Sequence, residues 1–455
     1  MSSVPTWAPS STPSITTLSS IATTHASALE STLSAAVSTL VSKGSTIAKK
    51  DFLTASINIR AAEASLTIIS AEEVLATATA PEVQSQATQA IWEATQNLQA
   101  LEWSLNVYNI ESLSRPANII FLVIFAITFL YTALMLIKSR YHWYNVAFTC
   151  GLALEFIGFL GRVLSFGDMT NDNFFLLQLV PLTLAPAFLM GGIYFLFGQL
   201  IVIHGRQFSW LKPLHYSYIF ISCDILSLVI QAGGGAQASI ASQNYEDATP
   251  GTNVMIAGIA FQVFAMSIFI ISWFIFWWKV SFKKPDAIPT DYDQSLEKMQ
   301  GYSKSYDKKS ISNFFFLMLN TKPADEFKKA VLEYRYNPKY ASIRSRPLFN
   351  YYGLAISVSV LTIYIRCIYR VVELAQGFRG YLFTHEVFLM TLDATMIAIA
   401  AIIFVPFHPQ IVLGSSNVIK MRSIKNNDDE VNSSFGDKET VEVMDRVPSV
   451  GSESV

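Results

Sequence analysis

The chain has 455 residues, of which 51% are hydrophobic and only 15% are charged, whereas soluble domains carry about a quarter charged residues. Its mean hydropathy of +0.36 argues against an ordinary soluble protein and indicates a membrane protein. The formal net charge of −2 gives no basis for a nucleic-acid partner. The three cysteines all fall inside apolar segments, so they supply neither a disulfide framework nor a cysteine-based zinc site.

The N-terminal region, residues 1–116, has two parts. Residues 1–24 are rich in Ser, Thr, Pro and Ala, a composition that cannot bury a core and predicts a disordered stalk. No basic segment with an apolar core opens the chain, so we expect no signal peptide. Between residues 26 and 110, apolar residues such as Leu29, Leu33 and Leu40 recur at helical spacing. This pattern predicts two or three amphipathic helices in a small bundle, or alternatively a partly helical stalk without a fold of its own.

From residue 117 onward the chain switches to apolar runs of the ~20 residues that a bilayer-spanning helix requires. Seven spans are predicted, at 117–137, 145–164, 176–203, 216–236, 254–278, 348–372 and 387–407. The third span contains Pro181 and Pro186, which predict a kink or a tilt. The predicted fold is therefore an all-α membrane protein with a seven-transmembrane helix bundle over residues 117–408.

The loops between the spans alternate in charge. Basic residues follow spans 1, 3 and 5, whereas Asp168, Asp172, Glu246 and Asp247 lie in the intervening loops. By the positive-inside rule, the N-terminal region is outside, and the long basic loop 283–346 and the tail 409–455 are cytoplasmic. Within that loop, residues 314–319 and 325–336 are predicted to lie on the inner membrane face. The polar tail is predicted to be disordered.

Ionisable groups at bilayer depth are costly, so they normally face a partner or a wet cavity. The candidates are Glu155 and Arg162 in span 2, Asp224 and Gln231 in span 4, Arg366, Arg370 and Glu373 in span 6, and Asp393 in span 7. The acids and bases roughly balance, which permits neutralisation between helices. Two interpretations remain open. The pairs lock the bundle together, or they line a polar cavity, open to the outer leaflet, that binds the charged head of an amphiphile, and both can hold.

Several other activities find no support in the spans. No lysine lies at bilayer depth, which excludes a retinal Schiff base, and only His385 and His408 approach the bilayer, at opposite faces. We therefore predict no metal site. No glycine-rich phosphate loop occurs, so we predict no cofactor and no ATP-driven transport. The glycines at 233–235 are expected to permit close helix packing.

Five motifs in the spans resemble the fungal lipid-translocating exporter family. They are LEFIGFLGRVLS, LAPAFLMGGIYFLFGQLI, FISCDILSLVIQAGGGAQAS, RCIYRVVELAQGFRGYLFTHE and LDATMIAIAAIIFVPFHP. The resemblance implies a plasma-membrane protein that confers resistance to amphiphilic lipids or drugs without an ATPase domain. The family's recurrent polar positions fall on Glu155, Arg162, Asp224, Gln231, Arg370, Glu373, Glu386 and Asp393.

The chain departs from that family at a few places. Gln199 stands where the family pattern has an arginine, and Gln410 rather than glycine follows the pair His408-Pro409. The resemblance also does not extend to residues 1–116 or to the loop 283–346. It therefore implies nothing about those two regions.

We predict that the chain is not an enzyme and that it exports or translocates sphingoid long-chain bases or similar amphiphiles. In this hypothesis Glu155 and Asp224 hold the cationic amine, and Arg162, Arg366 and Arg370 balance the acids. The partners are membrane lipids and the amphiphile. The alternative is a seven-span lipid sensor or receptor, in which the loop 283–346 and the tail recruit cytoplasmic regulators.

Overall fold

The computed structural model describes residues 17–414, except for 109, 111, 245, 284–307, 378 and 379. Residues 1–16 of the predicted stalk 1–24, residues 284–307 of the basic loop and the tail from residue 415 lie outside the described residues. The described part of the chain folds into helices and loops without a strand. Seven of its helices are long and apolar enough to cross a membrane, which confirms the predicted fold class.

The N-terminal region forms three helices, α1 (Ala26–Lys43), α2 (Lys49–Thr77) and α3 (Pro81–Leu105). Helix α2 packs against both of the others. Small side chains dominate the core between α2 and α3, where Ala64 and Ala71 lie with Ile68 and Ile91. Alanine faces let the two helices approach closely. The apolar cluster between them gives this region a small core of its own.

The spans and the intervening loop helices follow in chain order. They are α4 (Arg115–Lys138), α5 (His142–Leu164), α6 (Asp172–His204), α7 (Pro213–Gln243), α8 (Thr249–Phe282), the loop helices α9 (Ile311–Met318), α10 (Lys322–Phe327) and α11 (Ala341–Arg344), and then α12 (Phe349–Ala375) and α13 (Glu386–Ile403). Each span packs against the next one in sequence, and α13 closes the ring against α4. Helix α12 also contacts α6, the most buried span, whereas α4 is the least buried. Helix α6 therefore lies at the centre of the bundle, and α4 lies at its periphery, on the side expected to face lipid.

Helix α6 runs unbroken for 33 residues with both prolines inside it. At 1.5 Å per residue this corresponds to roughly 50 Å, which exceeds the ~30 Å hydrocarbon core of a bilayer. A proline has no N–H, so the carbonyl four residues earlier loses its helical partner. Pro181 and Pro186 therefore free the carbonyls of Leu177 and Leu182 inside the bundle.

The contact between α7 and α8 depends on glycine. A Cβ atom added at Gly234 would lie 2.4 Å from the backbone nitrogen of Met255, and one at Gly251 would lie 2.4 Å from that of Ala238. A Cβ at Gly233 would meet nothing within 4 Å. Gly234 is therefore the residue of the 233–235 run that lets the two backbones touch, as expected for close helix packing.

The described part of the basic loop folds against the ends of α8 and α12. Phe314, Leu317, Phe327 and Val331 share an apolar cluster with Phe282 at the end of α8. The other face of α9 leaves apolar side chains exposed, among them Ile311, Phe315, Phe316 and Leu319. This two-sided apolar character fits the predicted interfacial position.

The bundle continues past residue 408, its predicted end. Val412 and Leu413 are buried in the main core. The Tyr141 hydroxyl donates a hydrogen bond to the carbonyl of Gly414 at 3.0 Å. Residues 409–414, which were expected to belong to the tail, are therefore part of the packed structure.

Candidate functional site

Arg366 on α12 is the centre of a buried charge cluster. Its guanidinium pairs with Asp393 of α13 through Nε and lies 3.4 Å from Oε1 of Glu155 on α5. It also donates a hydrogen bond to the carbonyl oxygen of Leu182 on α6. One fully buried side chain therefore joins four spans.

The Leu182 carbonyl is available to Arg366 because of Pro186, four residues later, which has no N–H to donate. A backbone carbonyl without a partner inside the hydrocarbon costs several kcal/mol, and the arginine removes that cost. Gly158 of α5 permits the close approach, since a Cβ there would lie 2.5 Å from Cδ2 of Leu182. Pro186 predicts a kink from the sequence, but the acceptor that it creates depends on a neighbouring helix and could not be predicted from α6 alone.

Arg370, one turn further along α12, extends the cluster. Its Nη1 lies 2.9 Å from Oε2 of Glu373, and its Nη2 lies 2.5 Å from Oδ2 of Asp393. The Tyr369 hydroxyl donates to the other oxygen of Glu373 at 2.8 Å. Asp393 therefore binds one arginine with each carboxylate oxygen.

Asp393 lies in a π-helical turn, Leu389–Ala394, within α13. Such a turn inserts an extra residue into the helix and is frequent at functional sites. In the completed cluster three carboxylates, those of Glu155, Glu373 and Asp393, surround two guanidiniums. With all five groups ionised, the cluster carries one surplus negative charge.

Arg162 belongs to a second site near the end of α5, where it forms an ion pair with Glu386. Its Nε also donates to Oδ1 of Asn118 at 2.5 Å, and the Glu386 carboxylate accepts a hydrogen bond from the backbone N–H of Ser114 at 2.7 Å. Arg162 therefore pairs with Glu386. The hypothesis that Arg162 balances Glu155 is not supported by this pairing. Glu155 and Arg162 are seven residues apart on α5, which is roughly 10 Å along the helix axis. They therefore lie at different depths in the bundle.

Asp224 on α7 lies apart from any arginine partner. It is 3% exposed, and neither carboxylate oxygen has a hydrogen-bond partner in the part of the chain that the structure describes. The Tyr194 hydroxyl is close enough to interact electrostatically, although it lacks hydrogen-bond geometry. Cys367 lies within electrostatic range of both Asp224 and Arg366. Asp224 is therefore a buried acid outside the cluster.

Gln231 connects α7 to α8 rather than to the charge cluster. Its Nε2 donates to Oε1 of Gln262 at 3.1 Å. A Cβ added at Gly258 would lie 2.8 Å from Cγ of Gln231. The side chain therefore fills the tight α7–α8 contact. Over the described ranges, no group of three or more His, Cys, Asp or Glu side chains could hold a metal ion.

Seven spans around a network of paired charges define a polytopic helical membrane protein with a polar centre inside its bundle. The chain belongs to the RTA1-like family, because the model described as "RTA1 like protein" matches residues 148–416, more than half of the chain. The matched stretch contains every span from α6 onward and all eight of the predicted site residues.

Named relatives from Saccharomyces cerevisiae show the same kinship. The chain is 37% identical to the sphingoid long-chain base transporter RSB1 over 296 residues, which cover 64% of this chain and 70% of the relative. It is 24% identical to protein RTM1 over 56% of this chain and 64% of the relative, and 24% identical to protein RTA1 over 58% and 66%. No solved structure matches the chain.

Proposed function

We propose that this protein moves sphingoid long-chain bases or similar cationic amphiphiles across the plasma membrane, without an ATPase of its own and without chemical change to them. The printed name of the 37% identical relative, a sphingoid long-chain base transporter, supports this substrate class. The helical bundle supports a transport role rather than catalysis. The proposal also places the basic end of the bundle in the cytoplasm and the N-terminal region outside.

The observation that carries the proposal is the surplus of buried acid in the spans. Four buried carboxylates, those of Glu155, Asp224, Glu373 and Asp393, accompany two buried guanidiniums, those of Arg366 and Arg370. Arg162 is paired with the half-buried Glu386. An ionised carboxylate without a cation is strongly unfavourable inside a bilayer. With all these groups ionised the excess is two negative charges, and a ligand with one positive charge would offset one of them while its long apolar chain stays in lipid.

Glu155 and Asp224 are the two acids with acceptor capacity to spare. Oε1 of Glu155 faces Arg366 at 3.4 Å without forming a hydrogen bond, and both oxygens of Asp224 are unpartnered among the described residues. A primary ammonium has three N–H donors and forms strong, charge-assisted hydrogen bonds with carboxylates. In this proposal the two acids bind the amine, and Arg366 positions Glu155.

Purified protein in liposomes tests the proposal with a labelled sphingoid base. Asp224→Asn keeps the size of the side chain and removes its charge. Because a hydrogen bond to a charged group contributes about 1.5–3 kcal/mol, we expect transport to fall roughly 10- to 100-fold. Asp247→Asn, in an exposed loop between α7 and α8, is the matched control and should transport normally.

A neutral amphiphile separates binding of the amine from general damage. The Asn variant should move it as the unaltered protein does, because a neutral head group does not use the charge. Unchanged transport of the sphingoid base by a stable Asp224→Asn variant would contradict the proposal.

The lipid sensor remains the alternative, and the folded basic segment against α8 and α12 favours it, since such a surface can recruit regulators. The same liposomes distinguish the two functions. A sensor would bind the labelled base and leave it in its original leaflet.

A further inference from the structure

A cavity of about 380 Å³ opens at the basic end of the bundle, between the spans and the folded loop segment. The ends of three spans line it, through His204 of α6, Trp277 of α8 and Phe349 of α12. The loop contributes Lys328 and Arg344, among others. The cavity is thus separate from the charge cluster, which lies deeper in α5, α12 and α13.

Most of the charged groups at this cavity already have partners. Arg344 pairs with Glu333 at 2.7 Å and donates to the carbonyls of Ile203 and Asn337. Lys329 pairs with Asp325 at 2.6 Å. The hydrogen bond to the Ile203 carbonyl ties the loop segment to α6. Lys329 is 71% exposed and pairs only within the loop, so neither cation is a buried group that lacks a partner.

Lys328 is the exception. Its Nζ donates to the amide oxygen of Asn320 at 2.9 Å, and no carboxylate lies within ion-pair distance of it among the described residues. Burial lowers the pKa of Lys328 to about 8, although the nearby Asp325 acts in the opposite direction. The side chain is therefore still mainly cationic near neutral pH, and an anion beside it would be favourable.

Trp277 supplies a second unused donor. It lines this cavity and a smaller one beside it, and its buried indole Nε1 has no hydrogen-bond partner in the described structure. The ring packs directly on Gly353, where an added Cβ would lie 2.3 Å from Cζ2 of the indole. The His204 ring meets it edge to face at 5.3 Å.

The position of the cavity indicates where an anion would come from. Trp277 and Trp278 stand near the end of α8, just before Lys279 and Lys283, in the order typical of a membrane interface. Helix α9, which packs beside them, exposes Phe315 and Phe316. An apolar face of this kind inserts at the boundary between head groups and acyl chains.

We propose that this cavity binds the phosphate head group of an anionic lipid from the leaflet that α9 contacts, with Lys328 and the Trp277 N–H as its donors. A pocket of basic and aromatic residues between spans on the cytoplasmic side suits such head groups. The site is independent of the proposed amine transport. Its occupant would contact Phe349 and Asn350, in the first turn of the helix that carries Arg366 and Arg370.

Short-chain phosphatidic acid, titrated into the purified full chain in detergent, tests this site by calorimetry. We expect saturable binding of one molecule. Lys328→Met should weaken it at least tenfold. Lys322→Met, which removes the same charge from an exposed position in the same segment, should change it less than twofold. Short-chain phosphatidylcholine and inorganic phosphate should not compete.

Trp277→Phe provides a second variant, because it keeps most of the ring and removes only the N–H donor. It should weaken binding several-fold and leave the protein monodisperse. Equal losses in the two lysine variants would mean attraction to the surface charge alone and would overturn the proposal. So would unchanged affinity in Trp277→Phe, equally tight binding of inorganic phosphate, or no binding. Sphingoid-base transport is not a readout here, so the two proposals can fail separately.

Discussion

Asp393 shows how a single side chain can hold a buried network together. Each of its oxygens accepts from a different arginine, and the two arginines reach on to Glu155 and Glu373. Inside a bilayer, removal of one partner leaves the other as an uncompensated charge. The network is therefore expected to fail as a unit.

Replacement of Arg370 by Leu removes one ion from this network. Glu373 loses its arginine and Asp393 loses one of two, which should destabilise the protein by about 3–5 kcal/mol. Thermal unfolding of the purified variant and its level at the cell surface measure the loss. Arg140→Leu, at an exposed loop position, is the control. A variant with normal stability, surface level and amphiphile resistance would show that Arg370 is neither structural nor functional.

At the scale of an element, α6 contributes its backbone to the site. Its carbonyl at Leu182 takes part in the charge cluster only because Pro186 leaves it without an N–H partner. The central helix is thereby tied to α12 through a main-chain group that no side-chain substitution at position 182 can remove. Helix position and cluster geometry are thus coupled.

Pro186→Ala should break that coupling. Alanine restores an N–H that competes with Arg366 for the Leu182 carbonyl, while it raises helix propensity. We expect reduced transport with little loss of thermal stability. Pro181→Ala is the matched control, since Pro181 is also buried in α6 but frees the carbonyl of Leu177, which has no arginine contact among the described residues. Equal effects of the two changes would argue against the coupling.

Hydropathy predicts the seven spans well because the bilayer imposes both length and apolarity on them. Charge pairing is harder to predict. The cost of burying Arg366 predicts that it meets an acid. Whether Arg162 pairs with Glu386 or with Glu155 depends on depth and on the rotation of neighbouring helices. The hydrophobic period of a helix indicates which of its faces is buried, but not which residues of a neighbouring helix that face meets. The fold of the described part of the basic loop likewise depends on contacts with Phe282 that no local pattern contains.

On the scale of the whole molecule, the proposed orientation makes a direct prediction. A tag at residue 20 should be labelled from outside intact cells, and a tag at residue 440 only after permeabilisation. The reason is the excess of Lys and Arg in the loops after spans 1, 3 and 5. Tag accessibility by immunofluorescence, with and without detergent, measures it. The opposite labelling pattern would reverse the topology.

The surplus of buried carboxylates has an electrical consequence. A carrier that moved a monovalent ammonium outward would work against an inside-negative membrane potential, at about 2.3 kcal/mol per 100 mV. Suppose that an acid took up a proton from outside as the ammonium left, and released that proton inside. No net charge would then cross the membrane, and the electrical work would be cancelled. Transport with permanently ionised acids would respond to the voltage. Transport with a returning proton would respond to the pH gradient.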